Sequence, residues 1–441
     1  MESVIFRAFG IIGVLATSSA LAMPLSTYVS QVLQSNPRVA QPARVLAQVE
    51  GDQKIADAGW RPDLDLAASA GMYSIKKPST GNVRQDYDSH QWQLTLRQNL
   101  FNGYDTTEQV KQNAARRAAT EAFLLDQADN TALEAVRAYL EGQKQKSLLQ
   151  LAQQNLAAHR AKYQQVLERN EGGLGLRSDV EQTAARLAQA EASVIAQENN
   201  LQDALATLSS LLGTPVAVGD LEDVATDTSH SPMDLASLTE MAFENHAALK
   251  VAEDNIEAAR AEYRRAKSND YPKIDLVLST LHGNDIDNDG GNTSDQSAEL
   301  TLNYNLYNGG EDTARKGKAL QRLYELQEAA RQTRLEIEQN LVLAWNADRY
   351  LAKQKGPLQR YVEMATKTAQ SHEQEFDLGQ RDLLDLLDSK TELNEAEKGL
   401  TTAEYDATIA AWRVQEATGR LLETLGISVT AIDGELQVES E

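Results

Sequence analysis

None of the 441 residues is cysteine, which excludes both a disulfide framework and the lipid-bearing N-terminal cysteine of a bacterial lipoprotein. Long apolar runs are also scarce. Arg7, the apolar stretch from Ala8 to Ala16 and the small residues Ala20-Leu21-Ala22 read as a secretory signal over residues 1–22, with a one-helix anchor as the alternative. Beyond it, no stretch approaches the ~20 apolar residues that a helix needs to cross a bilayer. A β-barrel wall is still allowed, because its strands are apolar only at alternate positions. Positive charge is the third shortage. The formal net charge of −23 argues against nucleic-acid binding, which needs a basic face.

The constellations of an enzyme are missing too. Six histidines (His90, His159, His230, His246, His282 and His372) lie scattered singly. His372-Glu373 lacks the second histidine of a metalloprotease helix, and no Gly-x-Ser-x-Gly occurs. Gly317-Lys318 has neither the upstream glycine nor the hydroxyl residue of a phosphate loop. No catalytic residue, cofactor or metal site is therefore expected. One acidic loop, Asp285-x-Asp287-x-Asp289-Gly290, has the first half of a calcium-loop spacing. Its twelfth position is Gln296 and strands replace the flanking helices, so an acidic connection between strands is the simpler reading.

What the chain does contain is a duplication. Gln98-Asn99-Leu100-Phe101-Asn102-Gly103 returns 206 residues later as Tyr304-Asn305-Leu306-Tyr307-Asn308-Gly309. The same offset relates Leu94 and Leu96 to Leu300 and Leu302, Gly173 and Asp179 to Gly379 and Asp385, and Gly213 to Gly419. Upstream the offset is 210, relating Pro62-x-Leu64-Asp65-Leu66 to Pro272-x-Ile274-Asp275-Leu276. One unit of helix, strand pair and helical hairpin is written twice.

From Tyr104 to Glu171 there is no proline and a single glycine, Gly142, among residues that favour helix. At 1.5 Å per residue such a helix reaches roughly 100 Å, a rod rather than a globular helix. A break at Gly172-Gly173 precedes a second helix from about Ser178 to Leu212, with Ser178 a plausible cap. The second copy reads as Glu311 to Asp377, a break at Gly379, then Asp382 to Leu425, with a kink or short interruption expected at Gly356-Pro357. The resulting organisation is a first repeat over 23–213 (strand pair 60–103, hairpin 104–213), a linker over 214–232, a second repeat over 233–426 (strand pair 271–310, hairpin 311–426) and a mobile acidic tail over 427–441.

Four segments alternate apolar and polar residues over about ten positions, the length of a tilted strand crossing a bilayer. These are Leu64 to Met72, Trp92 to Leu96, Ile274 to Thr280 and Ala298 to Leu306. A spanning sheet must close, and single-chain barrels begin at about eight strands, so four strands demand assembly. Two chains would supply eight strands and three would supply twelve. Asn102-Gly103 and Asn308-Gly309 mark the strand-to-helix turns, which implies a tunnel of helices continuing the barrel wall. A soluble periplasmic coiled-coil scaffold is the competing reading of the rods.

The far hairpin tip of the second copy carries the candidate functional residues. Asp385 and Asp388 are three apart on one helical face, and in a symmetric oligomer each becomes a ring of acids that selects cations. Arg381 can latch neighbouring turns through carboxylates or carbonyls. Asp382 lies near the helix start, and Asp179 is the first-copy equivalent of Asp385.

The segment Phe376-x-x-Gly379-x-Arg381-x-Leu383-Leu384-Asp385-x-Leu387-Asp388, with the duplicated Asn-Gly turns and signal, resembles the TolC family of outer-membrane channel-tunnel proteins. The likeness extends over essentially the whole chain after the signal. It implies a mainly α chain with a transmembrane β-barrel portion: a homotrimer with a twelve-stranded barrel continuing into an α-helical periplasmic tunnel. It further implies an acidic entrance ring of Asp385 and Asp388, and a gate latch in which Arg381 meets Asp179. Phe376 stands where some members have tyrosine and lacks the hydroxyl. The implied partners are a periplasmic adaptor, an inner-membrane ABC transporter or proton-driven pump, and outer-membrane lipid. Gly172-Gly173-x-Gly175-x-Arg177-Ser178-Asp179-Val180 resembles the secretion-type members, which favours type I export of a large protein such as an adhesin. Small-molecule efflux is the alternative.

Overall fold

The computed structural model describes residues 23–78, 81–173, 175–224, 233–288 and 290–440. The signal read over 1–22, and residues 225–232 of the linker, lie outside the described residues. Each repeat begins with a broken helix. In the first, α1 (Leu25–Ser35) stops at Asn36, whose Oδ1 accepts a hydrogen bond from the Arg38 amide and so caps α2 (Pro37–Ala58). In the second, α5 (Leu235–Asn245) stops at His246, whose Nδ1 accepts from the Ala248 amide at the start of α6 (Ala247–Arg265).

The strands β1 (Asp63–Lys76), β2 (Arg84–Phe101), β3 (Lys273–Asn284) and β4 (Asn292–Asn303) form one antiparallel sheet in the order β1-β2-β3-β4. Its two hairpins share a register under the repeat offsets: Leu64 faces Leu96 as Ile274 faces Leu302. One sheet face therefore gathers Leu64, Leu66, Leu94, Leu96, Leu276, Leu278, Leu300 and Leu302. The opposite face carries Asp65, Thr95, Arg97, Ser279, Glu299 and Thr301. The apolar face covers nothing within the chain. Leu64, Leu66, Leu300 and Leu302 are 63, 70, 69 and 65% exposed. The eight steps from Leu64 to Met72 measure about 26 Å along the strand, which suits the apolar band of a tilted barrel.

Each repeat then enters a helical hairpin. The rods α3 (Asp105–Glu171) and α7 (Glu311–Asp377) are both 67 residues long, and they return as α4 (Arg177–Leu212) and α8 (Leu383–Ala417). Gly142 is the one glycine of its rod because α4 and the linker press on it. A Cβ there would lie 2.9 Å from Leu208 Cδ1 and 3.2 Å from Leu221 Cδ1. None of the helices among the described residues is long and apolar enough to cross a membrane.

Four expectations change. Of the kink or interruption expected at Gly356-Pro357, the interruption is absent: α7 is one helix through Pro357, whose single lost hydrogen bond does not end it. The last helix is not continuous to Leu425: the positive φ of Gly419 (68°) separates α8 from the short α9 (Leu421–Thr424). β4 ends at Asn303, short of the alternation that continues to Leu306. The acidic tail is an ordered hairpin, β5 (Ile427–Ile432) and β6 (Glu435–Ser440). Asp433-Gly434, both at positive φ, make its turn, while Ile427 and Val429 of β5 are buried in the main core and β6 packs on α1 and α2. This hairpin completes the main core, where Tyr28, Val32, Val136, Tyr139, Leu140 and Leu208 pack at mid-rod.

Candidate functional site

The strand-to-helix turns have the same construction twice. Asn102 Oδ1 accepts from the Thr106 amide and its Nδ2 donates to Thr106 Oγ1 at 2.7 Å. Asn308 does the same with the Asp312 amide and Asp312 Oδ2. The asparagine thus satisfies free amides at the first turn of each rod. Gly103 and Gly309 have φ of 69° and 71°, the left-handed region. Only Gly103 also has a close neighbour within the chain, a Cβ there falling 2.1 Å from the Ser268 carbonyl oxygen.

At the other end of the rods, α7 closes with paired hydrogen bonds, Gln380 amide to Glu375 oxygen and Gly379 amide to Phe376 oxygen, around Gly379 at φ 72°. This turn points the chain back and places Arg381 between two carboxylates. Its Nε donates to Glu375 Oε2 at 2.8 Å and its NH1 to Asp385 Oδ2 at 3.0 Å. Those two bonds, Glu375 first, make the guanidinium hold its proton more tightly than usual. Asp388 meets a different arginine, Arg186 of α4, at 3.0 Å. The two aspartates on one helical face are thus each paired within the chain, with separate arginines.

Arg381 is not paired with Asp179 in the chain. Asp179 lies in the first turn of α4 near the Ser178 hydroxyl, and Arg381 is taken up by Glu375 and Asp385, which its own helix turn brings nearer. Ser178 sits inside α4 and does not cap it; Leu176 occupies the cap position without a side-chain bond. Asp382 is the residue before α8 and likewise makes no side-chain cap.

Phe376 is 9% exposed and packs with Val166 of α3 and with Leu383, Leu386 and Leu387 of α8. Lys162 and Arg169 of α3 lie over its ring, each 5.2 Å from the centroid. The ring therefore joins the two hairpins by burial and cation contact, with no need for a hydroxyl. Around it runs a network from α3 to α8: Lys162 and Lys390 flank Glu373 at 3.6 and 2.8 Å. The Lys390 bond holds the Glu373 carboxyl below its usual range. His159 is buried on the edge of a cavity of about 330 Å³ lined also by Lys162, Leu386 and Glu397. Burial, then the charges of Arg186 and Lys390, keep its imidazole neutral more readily than usual. Sequence reasoning did not find Arg186, Glu375, Lys162 or Lys390, since each matters only through a partner on another helix or turn.

Asp285 begins the loop between β3 and β4 and accepts a bond from the Gly290 amide at 2.9 Å. Asp289, needed for the calcium reading, lies outside the described residues. Among the described residues no cluster of three or more potential metal ligands is found.

A family model described as outer membrane efflux protein matches residues 28–214 and 238–420, once for each repeat. The proteases secretion protein PrtF of Dickeya chrysanthemi is 27% identical over 373 residues, covering 80% of this chain and 78% of that protein. The outer membrane efflux protein BepC of Brucella suis biovar 1 is 25% identical over 427 residues, covering 94% and 90%. The crystal structure of the outer membrane protein VceC from Vibrio cholerae has the same fold, with a TM-score of 0.78 at 18% identity, covering 90% of this chain and 96% of that one. With both repeats matched by the model, the chain belongs to the outer membrane efflux protein family, the TolC-like channels, and is a conduit of the outer membrane rather than an enzyme.

Proposed function

We propose that this chain is the outer-membrane duct of a type I secretion system that exports a large protein such as an adhesin. The observation that carries the duct is the sheet: four strands with an uncovered leucine face and two unpaired edges, joined directly to ~100 Å rods. Three copies would close twelve strands and leave a lumen, which is why a homotrimer is favoured over a pair. Export of protein is supported by the similarity to a protease secretion protein and by the Gly172-Gly173-x-Gly175 tip. The required partners are a periplasmic adaptor and an inner-membrane ABC transporter. The efflux of small molecules is the second reading, favoured by the longer match to BepC.

The tip acts as the gate in this proposal. Phe376 and the Arg186–Asp388 bridge hold the two hairpins of a chain together, and the Glu375–Arg381–Asp385 triad fixes the turn of the second hairpin. Among the described residues, the carboxylate of half-buried Asp179 accepts one weak bond, from the Ser178 hydroxyl, and would be available to Arg381 of a neighbouring chain. Asp385 and Asp388 would ring the entrance and favour cations.

Deleting the gene and comparing the culture medium with drug susceptibility tests the reading. Secretion predicts that one or a few large proteins disappear from the medium and remain in the cells, with drug tolerance unchanged. An unaltered medium together with drug-hypersensitive cells would move the assignment to efflux.

A further inference from the structure

The joint between the two hairpins places polar side chains where the packing of rods calls for apolar ones. Beyond Gln143, the buried residues of α3 recur every seven positions: Ala152, His159 and Val166. That spacing keeps them on one face of the rod, and Val166 packs on Leu383, Leu386 and Leu387 of α8. On α8, Asn394 follows the buried Leu387 by seven. His159 and Asn394 are 8 and 9% exposed, and among the described residues neither side chain has a hydrogen-bond partner. A buried imidazole and a buried amide left without partners are costly, so each needs a reason. Rod packing does not supply one. The 206-residue offset relates His159 to Ala365 and Asn394 to Ala188, so the other copy places alanine at both positions.

Both side chains line the same two cavities. One is the cavity of about 330 Å³ between α3 and α8, and the other, of about 80 Å³, is where Arg186 of α4 joins them. The larger cavity has an apolar wall of Leu151, Ala158, Leu386, Leu387 and Leu393. On its polar side Lys162 and Lys390 share the single carboxylate of Glu373, which leaves one positive charge in excess. Glu397 also lines it, and burial raises that carboxyl above its usual range, so it opposes an incoming anion less than an ordinary glutamate would. The repeat counterparts of Lys162 and Lys390 are Thr368 and Ala184, both uncharged. The cations and the unpartnered polar groups therefore belong to the α3–α8 joint alone.

We propose that this joint is a binding site for a compact monocarboxylate with an apolar body, held by Lys162 and Lys390 at its charged end and by His159 and Asn394 beside it. Two ammonium groups around one resident carboxylate accept exactly one further negative charge without an excess of either sign. A neutral imidazole donates from one ring nitrogen and accepts at the other, and the Asn394 amide donates as well. The leucines cover the apolar body. A cavity of this volume lies at the small end of ligand pockets, which suits a compact molecule. Such a ligand touches α3 of the first hairpin and α8 of the second at once. It therefore favours the docked arrangement of the hairpins over a parted one, through contacts that only the docked arrangement offers.

The test reads binding without transport, so it stands apart from the choice between secretion and efflux. Purified full-length protein titrated with 2-naphthoate should show one saturable site per chain, with the uncharged 2-naphthamide bound at least about tenfold more weakly. Asn394→Leu replaces the unpartnered amide with an apolar group of similar size. It should keep or raise the melting temperature while weakening 2-naphthoate at least about tenfold. Lys390→Gln should weaken it by a similar factor. In hydrogen exchange, 2-naphthoate should slow residues 151–165 and 386–397 and leave the core around Tyr139 unchanged. Equal binding of acid and amide overturns the role of the two lysines. An affinity untouched by both substitutions overturns the location, and the absence of saturable binding at millimolar 2-naphthoate overturns the site.

Discussion

Replacing Phe376 with alanine should loosen the docking of the two hairpins at the tip, and the size of the effect can be worked from its surroundings. Truncating a buried phenylalanine costs about 3–5 kcal/mol. The ring is 9% exposed and touches side chains of α3 and α8 as well as the cations Lys162 and Arg169. Those cation contacts sit near the surface and add about 0.5 kcal/mol each. Part of the total belongs to the packing of α7 on α8 within the second hairpin. If about 2 kcal/mol falls on docking the two hairpins, the parted population rises about 30-fold. Hydrogen exchange should then accelerate at the tip, near Val166 and Leu386, while the mid-rod core around Tyr139 stays protected. The resting conductance of the reconstituted protein should rise in parallel. Unchanged exchange at the tip with unchanged conductance would refute the role given to this ring. A loss of protection throughout would show a folding defect instead.

Three further outcomes are expected. Arg186→Ala and Asp388→Ala should each weaken hairpin docking, and their double-mutant cycle should give a coupling of about 0.5–1 kcal/mol that falls in high salt, because the pair is partly exposed; zero coupling at low salt would remove the bridge. Burial, then the charges of Glu416 and Asp126, raise the Asp129 carboxyl to about 7 from its ordinary 3.8. The folded state therefore holds this proton, so the stabilisation is complete below about pH 4 and is lost as pH rises through 7. Asp129→Asn should accordingly flatten the fall in melting temperature between about pH 4 and 7, and an unaltered slope there would contradict the raised pKa. Gly103→Ala should impair folding of the single chain by driving a Cβ into the Ser268 carbonyl, measurable as a lower melting temperature; a fully stable variant would show that the turn relaxes freely.

Much of this architecture was written locally. The rods announce themselves because 67 residues without a break leave helix as the simplest periodic structure, and Gly172-Gly173 and Gly379 mark where each rod turns. The strand faces were legible from alternation, since one side of a spanning sheet meets lipid. Two boundaries were not. The alternation through Tyr304 and Leu306 is real, but β4 ends at Asn303, opposite Lys273 where its partner β3 begins. The β5-β6 hairpin was hidden by its acidic ending, although Asp433-Gly434 between Ile427-x-Val429 and Leu436-x-Val438 is a recognisable turn signal. At the tip, Arg381 and Asp385 stand four apart and their pairing was open to a helical reading. The Arg186–Asp388 bridge and the Lys162–Phe376 contact join residues about 200 positions apart in the chain, so only the docking of one hairpin on the other brings them together.

Planar-bilayer recording of the full-length protein purified from outer membranes tests the duct most directly. Discrete, cation-selective conductance steps are expected, with selectivity reduced when Asp385 and Asp388 are both replaced by alanine. A folded, oligomeric protein that inserts and conducts no ions, even with Phe376→Ala opening the tip, would contradict it.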